Sequence, residues 1–304
     1  MKKFDNCIAI VCTETFLDFS LFLASELKKQ NFINYDVVIC SGDDLSHRMP
    51  ENVQFFKIDA EQFTKDLPTT PRLQKFCYWR IPAIEVLSEI YEKILYLDTD
   101  IFVNGEGIGY LFNIDLKNHV IAAVRDAHQI VRPSRLPIEN SALNLGFSDY
   151  FNAGFLLING LRWKSTNSYL KIQEIGRKYP HALTAYDQSL LNLMCDGDWL
   201  ELSPVWNWQY GYRNCFITDI ISPKLIHFCG NGKFWNISDV MIPTRYREAY
   251  YLYLHQTLPT DFPMSIINFE FFKLFLKNLW YFKQHTEYVS KFKNAYMTIS
   301  HSKN

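Results

Sequence analysis

The sequence predicts an α/β fold with a mixed, mostly parallel central sheet and a helical segment near residue 304. Short apolar runs rich in Val and Ile alternate with segments in which apolar residues recur at helical spacing, and the joins between them are short. One apolar run ends in two carboxylates, Asp98 and Asp100, one residue apart. In open sheets of this class, ligands bind at the carboxyl ends of the strands, so the acidic pair marks the predicted site.

Composition and charge limit the function classes. The 304 residues are 48% hydrophobic, which allows a large core in a single mixed α/β domain with an appendage. Lys and Arg number 31 against 32 Asp and Glu, so no net field attracts nucleic acid. We therefore expect no nucleic-acid partner.

Cysteine usage and apolar run lengths favour a cytosolic protein. The seven cysteines form no C-x-x-C pair and mostly sit in apolar runs, as buried reduced thiols do. The apolar run that follows Met-Lys-Lys-Phe is too short for a signal peptide, and we expect no secretion. No run reaches the ~20 apolar residues that span a bilayer.

The first hundred residues contain four predicted strands and two predicted helices. The strands cover residues 7–12, 35–40, 53–58 and 93–97. One helix covers residues 16–29, and Thr15 is its predicted N-terminal cap. The other covers about residues 73–91 and contains Arg80. Strand, helix and strand in this order favour parallel pairing.

Further elements follow the acidic pair. They are strands over residues 119–124 and 151–159, an irregular segment over 133–144, and helices over 168–179 and from 185 onward. Asp187 is well placed as the cap of the last helix. Residues 199–212 hold five Trp and Tyr side chains, which suit either the core or a wall for sugar stacking. We favour the core.

Asp98 and Asp100 are candidate metal ligands. Side chains two residues apart lie on one face of an extended strand. Two carboxylates held this close repel each other unless a cation lies between them, and oxygen ligands suit Mg²⁺ or Mn²⁺. A metal that also contacts a diphosphate is therefore the leading interpretation, with an acidic turn after a strand as the alternative.

A second group of candidate ligands lies between residues 225 and 235. A predicted strand delivers His227, Gly230 allows close backbone approach, and Lys233 follows six residues after the histidine. The imidazole would complete a mixed carboxylate and nitrogen set that suits Mn²⁺, and the lysine could contact a phosphate. The alternative is a histidine that only satisfies a strand end.

Taken together, these motifs resemble the family 8 retaining glycosyltransferases, and most closely the bacterial lipopolysaccharide and lipooligosaccharide galactosyl- and glucosyltransferases. The matching segments are Leu-Tyr-Leu-Asp98-Thr-Asp100, Tyr-Phe-Asn152-Ala-Gly154-Phe-Leu-Leu-Ile-Asn159, Asp187-Gln188-Ser-Leu-Leu-Asn192 and His227-Phe-Cys-Gly230 with Lys233 and Trp235. They occur in the family's order within residues 7–236. The resemblance implies a GT-A type nucleotide-sugar-binding fold, UDP-sugar donors, Mn²⁺ with Mg²⁺ as second choice, and a retained anomeric configuration.

The resemblance also implies site residues. The implied metal ligands are Asp98, Asp100 and His227. The implied nucleotide-binding residues are Val11, Thr13, Thr15, Asp98, Thr99, Asp100, Gly230 and Lys233. The implied residues around the donor sugar are Arg80, Asp126, Asn152, Asp187 and Gln188, of which Gln188, Asp187 and Asp126 are the catalytic candidates. Two positions depart from the family's pattern: Thr13-Glu14-Thr15 replaces acidic and amide residues that hold uracil and ribose, and Phe234 replaces a proline.

The implied reaction transfers galactose or glucose from a UDP-sugar to a hydroxyl of a glycan or glycolipid. A carboxylate nucleophile gives retention in glycosidases, but the residue at that position here resembles Gln188, a poor nucleophile. We therefore favour attack on the face from which the leaving group departs, with double displacement through Asp187 or Asp126 as second choice.

Two other function classes remain as alternatives. A metal-dependent sugar nucleotidyltransferase would also use paired carboxylates, but residues 12–18 lack the glycine- and basic-rich loop that should bind its triphosphate. A glycan-binding module on the same fold would need no catalysis.

The chain is expected to divide into a catalytic domain over residues 1–245 and an amphipathic helical extension over residues 246–304. Residues 266–282 are rich in Phe, Leu and Trp, and lysines accompany them. With the resemblance, this pattern favours peripheral contact of residues 264–304 with the inner face of the cytoplasmic membrane, for a cytoplasmic protein. Packing on the protein's own core or a homo-oligomer contact are the alternatives.

Overall fold

The computed structural model describes residues 3–69, 75–134, 137–143, 149–211, 214–215, 217–230, 232–236, 242–256 and 269–301. The strands are β1 (Asn6–Val11), β2 (Asp36–Ser41), β3 (Gln54–Lys57), β4 (Lys93–Leu97), β5 (Ile101–Val103), β6 (Ile121–Arg125), β7 (Phe151–Asn159), β8 (Trp199–Leu202), β9 (Trp208–Gln209), β10 (Leu225–His227) and β11 (Thr298–His301). The α-helices are α1 (Leu17–Lys28), α2 (Glu61–Thr64), α3 (Arg80–Ser88), α4 (Ala127–Val131), α5 (Ile138–Ala142), α6 (Gly160–Ser165), α7 (Ser168–Lys178), α8 (Asp187–Cys195), α9 (Thr218–Ile221), α10 (Thr244–Tyr253) and α11 (Phe269–Val289).

Eight strands form one mixed sheet in the order β11-β8-β6-β7-β4-β1-β2-β3. The pairs β1·β2, β1·β4, β2·β3 and β6·β8 are parallel, and β4·β7, β6·β7 and β11·β8 are antiparallel. This confirms the predicted mixed, mostly parallel sheet. The central strands are buried on both faces, as their continuous apolar runs require.

Helices cover both faces of the sheet. On one face, Ile84 of α3, Trp163 of α6 and Leu190 of α8 belong to a single buried cluster with the strands. On the other face, Leu23 and Leu27 of α1 are buried against the sheet. Each such side chain stabilises the fold by about 1.5–3 kcal/mol.

A second, three-stranded sheet brings two distant segments together. Strand β10 pairs antiparallel with β5, so that His227 lies opposite Ile101, and it pairs parallel with β9. Since β5 begins directly after Asp100, this pairing places the predicted histidine beside the acidic pair. The phenyl ring of Phe228 is buried under the same sheet.

The predicted cap of α1 is wrong. A 3-10 turn over Glu14–Phe16 precedes the helix, which begins at Leu17 without a side-chain cap. Thr15 lies inside this turn, where the carbonyl of Thr13 accepts a hydrogen bond from the Phe16 N–H at 3.0 Å. The backbone turn thus takes the place of the predicted hydroxyl cap.

The helix predicted over residues 73–91 is shorter than expected. It begins as a 3-10 turn over Lys75–Trp79 and is α-helical over Arg80–Ser88, while residues 73 and 74 lie outside the described part. Pro82 lacks an N–H and is tolerated only in the first turn of an α-helix. The α-helix therefore begins close to this proline.

The segment predicted to be irregular over residues 133–144 contains a helix. Residues 138–142 form the short helix α5, and residues 135, 136 and 144 are outside the described residues. Glu139 of this helix is buried and accepts a hydrogen bond from the Tyr150 hydroxyl at 3.0 Å. A tertiary contact thus orders a segment whose local composition favours a loop.

The C-terminal segment contains the predicted helix and an unexpected strand. Helix α11 continues seven residues beyond residue 282, where the prediction ended it, and residues 266–268 are outside the described part. Strand β11 then pairs antiparallel with β8 and forms one edge of the large sheet. Among the described residues, no helix combines the length and apolar character needed to cross a bilayer.

The aromatic segment after residue 199 belongs to the core, as favoured from the sequence. Trp199, Trp206, Trp208 and Tyr210 are all buried, whereas Tyr212 is outside the described residues. All seven cysteines are free thiols, and five of them are buried.

Candidate active site

The acidic pair lies in a turn after β4. The Ile101 N–H donates to the Asp98 carbonyl at 3.2 Å, and the Asp98 N–H donates to the Gly154 carbonyl at 2.9 Å. The prediction that Asp98 and Asp100 share a face of an extended strand is therefore wrong, because the chain turns between them. The turn still brings both carboxylates to His227, and one ligand atom from each of the three residues lies within 4.8 Å of the others.

His227 directs its Nε2 at the acidic pair. Its side chain is buried, with Nε2 3.1 Å from Asp100 Oδ1 and 3.7 Å from Asp98 Oδ2. Its Nδ1 lies 2.9 Å from Asn207 Oδ1. An amide oxygen only accepts hydrogen bonds, so Nδ1 carries a hydrogen, and Nε2 is the ring nitrogen that a metal between the carboxylates could bind.

Two observations fit this corner to a divalent cation. Asp100 Oδ1 is buried and accepts no hydrogen bond from the described residues, although it faces His227 Nε2. A Cβ atom on Gly154 would lie 2.8 Å from Asp98 Oδ2 and would overlap the His227 ring, so glycine keeps the space between the ligands open. Two carboxylates and a neutral imidazole form a donor set that Mn²⁺ or Mg²⁺ accepts.

Each carboxylate also has a cationic side chain beside it, which the sequence interpretation did not anticipate. Asp98 Oδ1 lies 3.0 Å from Arg80 Nη2, and Lys233 Nζ donates to Asp100 Oδ2. Burial opposes ionisation of Asp100, but the contacts with His227 and Lys233 outweigh it and hold the pKa of this carboxyl well below its usual range. Part of the repulsion between the two acids is therefore relieved by the protein itself.

Asp187 is the first residue of α8 and pairs with Arg80, so the predicted capping role is wrong. Arg80 Nε lies 2.9 Å from Asp187 Oδ2, and Arg80 Nη1 donates to the Ala153 carbonyl at 2.5 Å. Tyr186, just before the helix, has a φ of 54°, which residues other than glycine rarely adopt. Burial raises the pKa of Asp187 to about 6, although Arg80 acts to lower it.

Gln188 lies at the centre of a second group of polar contacts in the site. Its Oε1 accepts hydrogen bonds from Asn152 Nδ2 at 3.2 Å and from the Ala153 N–H at 3.0 Å. Its Nε2 donates to Asp126 Oδ2 at 3.2 Å. Asp126 Oδ1 caps α4 by accepting from the His128 N–H at 2.8 Å. The amide of Gln188 is therefore held at both ends.

These residues surround one cavity of about 560 Å³. Predicted site residues in its wall are Val11, Arg80, Asp98, Thr99, Asp100, Asn152, Asp187, Gln188, His227, Gly230 and Lys233. Three other predicted residues are absent from the described part of the wall. Thr13 and Thr15 follow the end of β1 near it, and Asp126 is linked to it through Gln188.

The cavity wall also contains aromatic residues, of which only Trp235 was part of a motif singled out in the sequence. Phe16 and Phe76 have ring centroids 5.6 Å apart, and both line the cavity near Val11. Trp235 lines the same cavity and stacks on Phe19 with centroids 3.9 Å apart. Both phenylalanines lie in segments read as ordinary helix faces, so only the meeting of two 3-10 turns reveals them. Flat apolar walls of this kind suit a planar ring.

A family model described as "Glycosyl transferase family 8" matches residues 7–238. The matched range includes every predicted site residue and most of the eight-stranded sheet.

Relatives and solved structures agree with this match. Glycosyltransferase GlyF of Streptococcus pneumoniae is 30% identical over 202 residues, which are 64% of this chain and 46% of GlyF, so the chain spans just under half of that relative. Lipopolysaccharide 1,3-galactosyltransferase of Salmonella typhimurium is 26% identical over 199 residues, 63% of this chain and 58% of that protein. The crystal structure of the galactosyltransferase LgtC with donor and acceptor sugar analogs superposes with a TM-score of 0.67, at 19% identity, over 88% of this chain and 99% of LgtC. This likeness shows the GT-A fold.

Proposed function

The chain belongs to glycosyl transferase family 8, and on this premise we propose that it transfers a hexose, galactose or glucose, from a UDP-sugar to a glycan or glycolipid with retention of configuration. One observation carries the proposal. Asp98, Asp100 and His227 converge on one another, and Asp187 and Gln188 line the same cavity. A donor with a charged leaving group and a neutral sugar needs both a cation site and neutral polar groups in one cavity.

Asp98, Asp100 and His227 are the proposed ligands of Mn²⁺, with Mg²⁺ as the second choice. The bound metal would act as a Lewis acid that neutralises charge on the departing UDP. A mixed oxygen and nitrogen set favours Mn²⁺ over Mg²⁺, since Mg²⁺ prefers oxygen ligands.

The nucleotide is proposed to lie along the β1 side of the cavity. Gly230 and Lys233 would contact the diphosphate, and Thr99 and the backbone at Val11 would approach the nucleoside. Because Lys233 Nζ contacts Asp100, the lysine has to exchange or share this partner when a phosphate binds. Thr13 and Thr15 remain predicted nucleotide contacts at the rim.

The donor sugar is proposed to bind among Arg80, Asn152, Asp126, Asp187 and Gln188. Gln188 would orient the sugar and support the positive charge that develops on it. An amide is a poor nucleophile, so we favour same-face attack, in which the leaving phosphate oxygen accepts the proton of the acceptor hydroxyl. Double displacement through Asp187 or Asp126 is second, because Arg80 and Gln188 already occupy oxygens of these carboxylates.

The alternatives from the sequence keep less support. A sugar nucleotidyltransferase would need a triphosphate loop after β1, where the chain has a 3-10 turn with no glycine and no basic residue. A glycan-binding module without catalysis would not need the buried ligand set beside Gln188.

The test is incubation of the purified protein with a mixture of sugar nucleotides and Mn²⁺, followed by mass spectrometry. We expect slow release of free UDP and one hexose, which also names the donor. The same incubation with Asp100→Asn should release neither product, and Asp115→Asn, which changes an exposed acid elsewhere, should behave like the wild type. Pyrophosphate formation, or no reaction with any sugar nucleotide, would contradict the proposal.

The extension over residues 246–304, which adds β11 to the sheet of the catalytic domain over 1–245, is proposed to contact an anionic membrane from the cytoplasmic side. On α11, Leu279 is 51% exposed and Trp280 is 49% exposed. Lys283 is exposed beside them. An apolar side rimmed by lysines is the pattern of an interfacial helix. A homo-oligomer formed through the same surface is the alternative.

A further inference from the structure

Asn207 is a buried residue outside the cavity that joins its two sides. It lies between the 3-10 turn Pro204–Trp206 and β9, and its side chain is 1% exposed. Its Oδ1 lies 2.9 Å from His227 Nδ1, on the proposed metal side. Its Nδ2 donates to Asn152 Oδ1 at 2.9 Å, on the proposed sugar side.

Backbone groups fix which way each neighbouring amide points. The Ala153 N–H can only donate, so the atom of Gln188 that it contacts at 3.0 Å is the carbonyl oxygen. The other end of Gln188 is then the NH₂ group, and it faces the acceptor Asp126 Oδ2 at 3.2 Å. In the same way, the Gly154 N–H contacts Asn152 at 3.1 Å and identifies that atom as Oδ1.

The direction of the remaining bonds follows from these anchors. Asn152 has its NH₂ group towards Gln188 Oε1 at 3.2 Å, so its oxygen faces Asn207. Asn207 must therefore donate with Nδ2 and accept with Oδ1, and the group that donates to Oδ1 is His227 Nδ1–H. Hydrogen bonds thus run in one direction from His227 through three amides to the carboxylate of Asp126.

This directed chain of hydrogen bonds, here called the relay, determines which ring nitrogen of His227 carries a hydrogen and which is available to a metal. When the ring is neutral and the hydrogen is on Nδ1, the lone pair is on Nε2, which lies 3.1 Å from Asp100 Oδ1. Metal binding requires an unprotonated ring nitrogen. A residue that hydrogen-bonds the other nitrogen of a ligating histidine sets its tautomer and ring orientation.

We propose that Asn207 is a positioning residue that keeps His227 in its metal-binding tautomer and couples the metal ligands to the sugar-side amides Asn152 and Gln188. The metal half of this inference rests on the proposed function, whereas the direction of the relay does not. Coupling of this kind is reciprocal: an ordered sugar side favours the metal, and the metal favours an ordered sugar side.

The first experiment reads the relay directly, without activity. Nitrogen-15 NMR of histidine-labelled protein at alkaline pH, where imidazoles are neutral, distinguishes the two tautomers. We expect His227, assigned by its loss in His227→Gln, to carry its hydrogen on Nδ1 in the wild type. In Asn207→Ala we expect a mixture of both tautomers. A wild-type His227 with its hydrogen on Nε2 would overturn the proposal.

The second experiment measures Mn²⁺ affinity without a donor, by electron paramagnetic resonance of free Mn²⁺. Asn207→Ala should weaken binding by about 10- to 100-fold. Asn207→Asp keeps an acceptor for His227 and loses the donor to Asn152, so its Mn²⁺ affinity should stay within about threefold of the wild type. In the same variant, Mn²⁺ should no longer strengthen UDP-sugar binding to the wild-type extent, because the relay is broken beyond Asn207.

The control is Asn214→Ala. Asn214 is also buried and also makes two hydrogen bonds, to the Gly211 N–H and the Gln209 carbonyl at 2.9 Å each. It should leave the tautomer and the Mn²⁺ affinity unchanged. Wild-type Mn²⁺ affinity in folded Asn207→Ala would refute the positioning role. If the wild type binds no Mn²⁺, the proposed metal fails but the NMR spectrum still decides the relay, and the wild-type spectrum also decides it if Asn207→Ala does not fold.

Discussion

Arg80 Nε lies 2.9 Å from Asp187 Oδ2, in the wall of the cavity. The same guanidinium reaches Asp98 with Nη2 at 3.0 Å, so a single cation joins the metal-side turn to the start of α8. The planar fork of arginine can serve both acids and the Ala153 carbonyl at once, which a lysine ammonium cannot do in a fixed geometry.

The first prediction is that Arg80→Lys folds but loses stability and turnover. One of the two acids, half-buried Asp98 or buried Asp187, would lose its partner, and we expect the free energy of unfolding to fall by about 1–3 kcal/mol. Urea unfolding and sugar-transfer assays measure both effects. Arg48→Lys is the control, because Arg48 pairs with Asp18 at the surface and should change stability by less than about 0.5 kcal/mol. Equal stability of the two variants would refute the bridging role.

The second prediction concerns the metal. Asp98→Asn and Asp100→Asn should each remove most Mn²⁺-supported activity and leave the fold intact, because each loses a charged oxygen ligand. Circular dichroism checks the fold, and Mn²⁺ titration of the activity checks the ligand role. Full activity of both variants in excess EDTA would exclude a metal at this site.

The third prediction concerns Gln188. Gln188→Ala should lower turnover by on the order of 10²-fold, the usual scale for one positioned electrostatic group, without giving an inverted product. The product anomer is read by proton NMR. Accumulation of a covalent glycosyl-enzyme by Gln188→Glu, with wild-type kinetics, would mean that a nucleophile operates and that same-face attack is wrong.

The fourth prediction is a loss of stability at alkaline pH through His301. Both ring nitrogens of His301 face carboxylates, Asp149 Oδ2 at 2.9 Å and Glu201 Oε2 at 2.5 Å. Burial acts to lower the pKa of His301, but these two contacts raise it from 6.5 to about 9. The protonated ring therefore stabilises the folded state. This contribution is complete below about pH 6.5 and disappears as the pH rises through about 9.

The free energy of unfolding should therefore fall by about 1–3 kcal/mol between these pH values. In His301→Gln this decline should vanish, while in His47→Gln, which changes an exposed histidine, it should persist. Denaturant unfolding at a series of pH values measures it. The same dependence of the free energy of unfolding on pH in all three proteins would show that His301 does not titrate in this range.

The fifth prediction concerns the membrane. The double variant Leu279→Ser and Trp280→Ser should keep the release of UDP and lose sedimentation with anionic liposomes, because two half-exposed apolar side chains are removed from α11. Point changes are preferable to truncation, which would also remove β11 from the sheet. Leu161→Ser with Leu170→Ser, both exposed elsewhere, is the control. If the double variant binds liposomes as well as the control does, the surface around Leu279 and Trp280 is not the membrane contact. If the wild type is a dimer and the double variant a monomer, the homo-oligomer is favoured instead.

The strands could be predicted from the sequence because their signal is local. The apolar runs of β1, β2, β4 and β7 end within one or two residues of the predicted limits. Local signals failed where a distant group competes for the same side chain. Aspartate is a residue type favoured at the N-cap of a helix. At Asp187, however, a buried guanidinium outweighs a backbone N–H as the partner of the buried carboxylate.

Asn207 and strand β11 could not be predicted from the sequence. Asn207 sits between two tryptophans in a segment that reads as core, and its partners lie 20 and 55 residues away along the chain. Strand β11 contains Ser and His, so its apolar pattern is too weak to predict pairing with β8. Both depend on contacts between segments that are distant in sequence, which periodicity does not report.

The pairing of β11 with β8 also sets an order of assembly during synthesis. Thr298 pairs with Leu202, so the ribosome must add about a hundred residues before this edge of the sheet can close. At about 5–20 residues per second, β8 waits for on the order of ten seconds with unpaired N–H and C=O groups. All the described residues of the cavity wall precede residue 236 and are already synthesised by then. In the nascent chain, this edge of β8 is therefore exposed for longer than the residues of the cavity wall take to be synthesised.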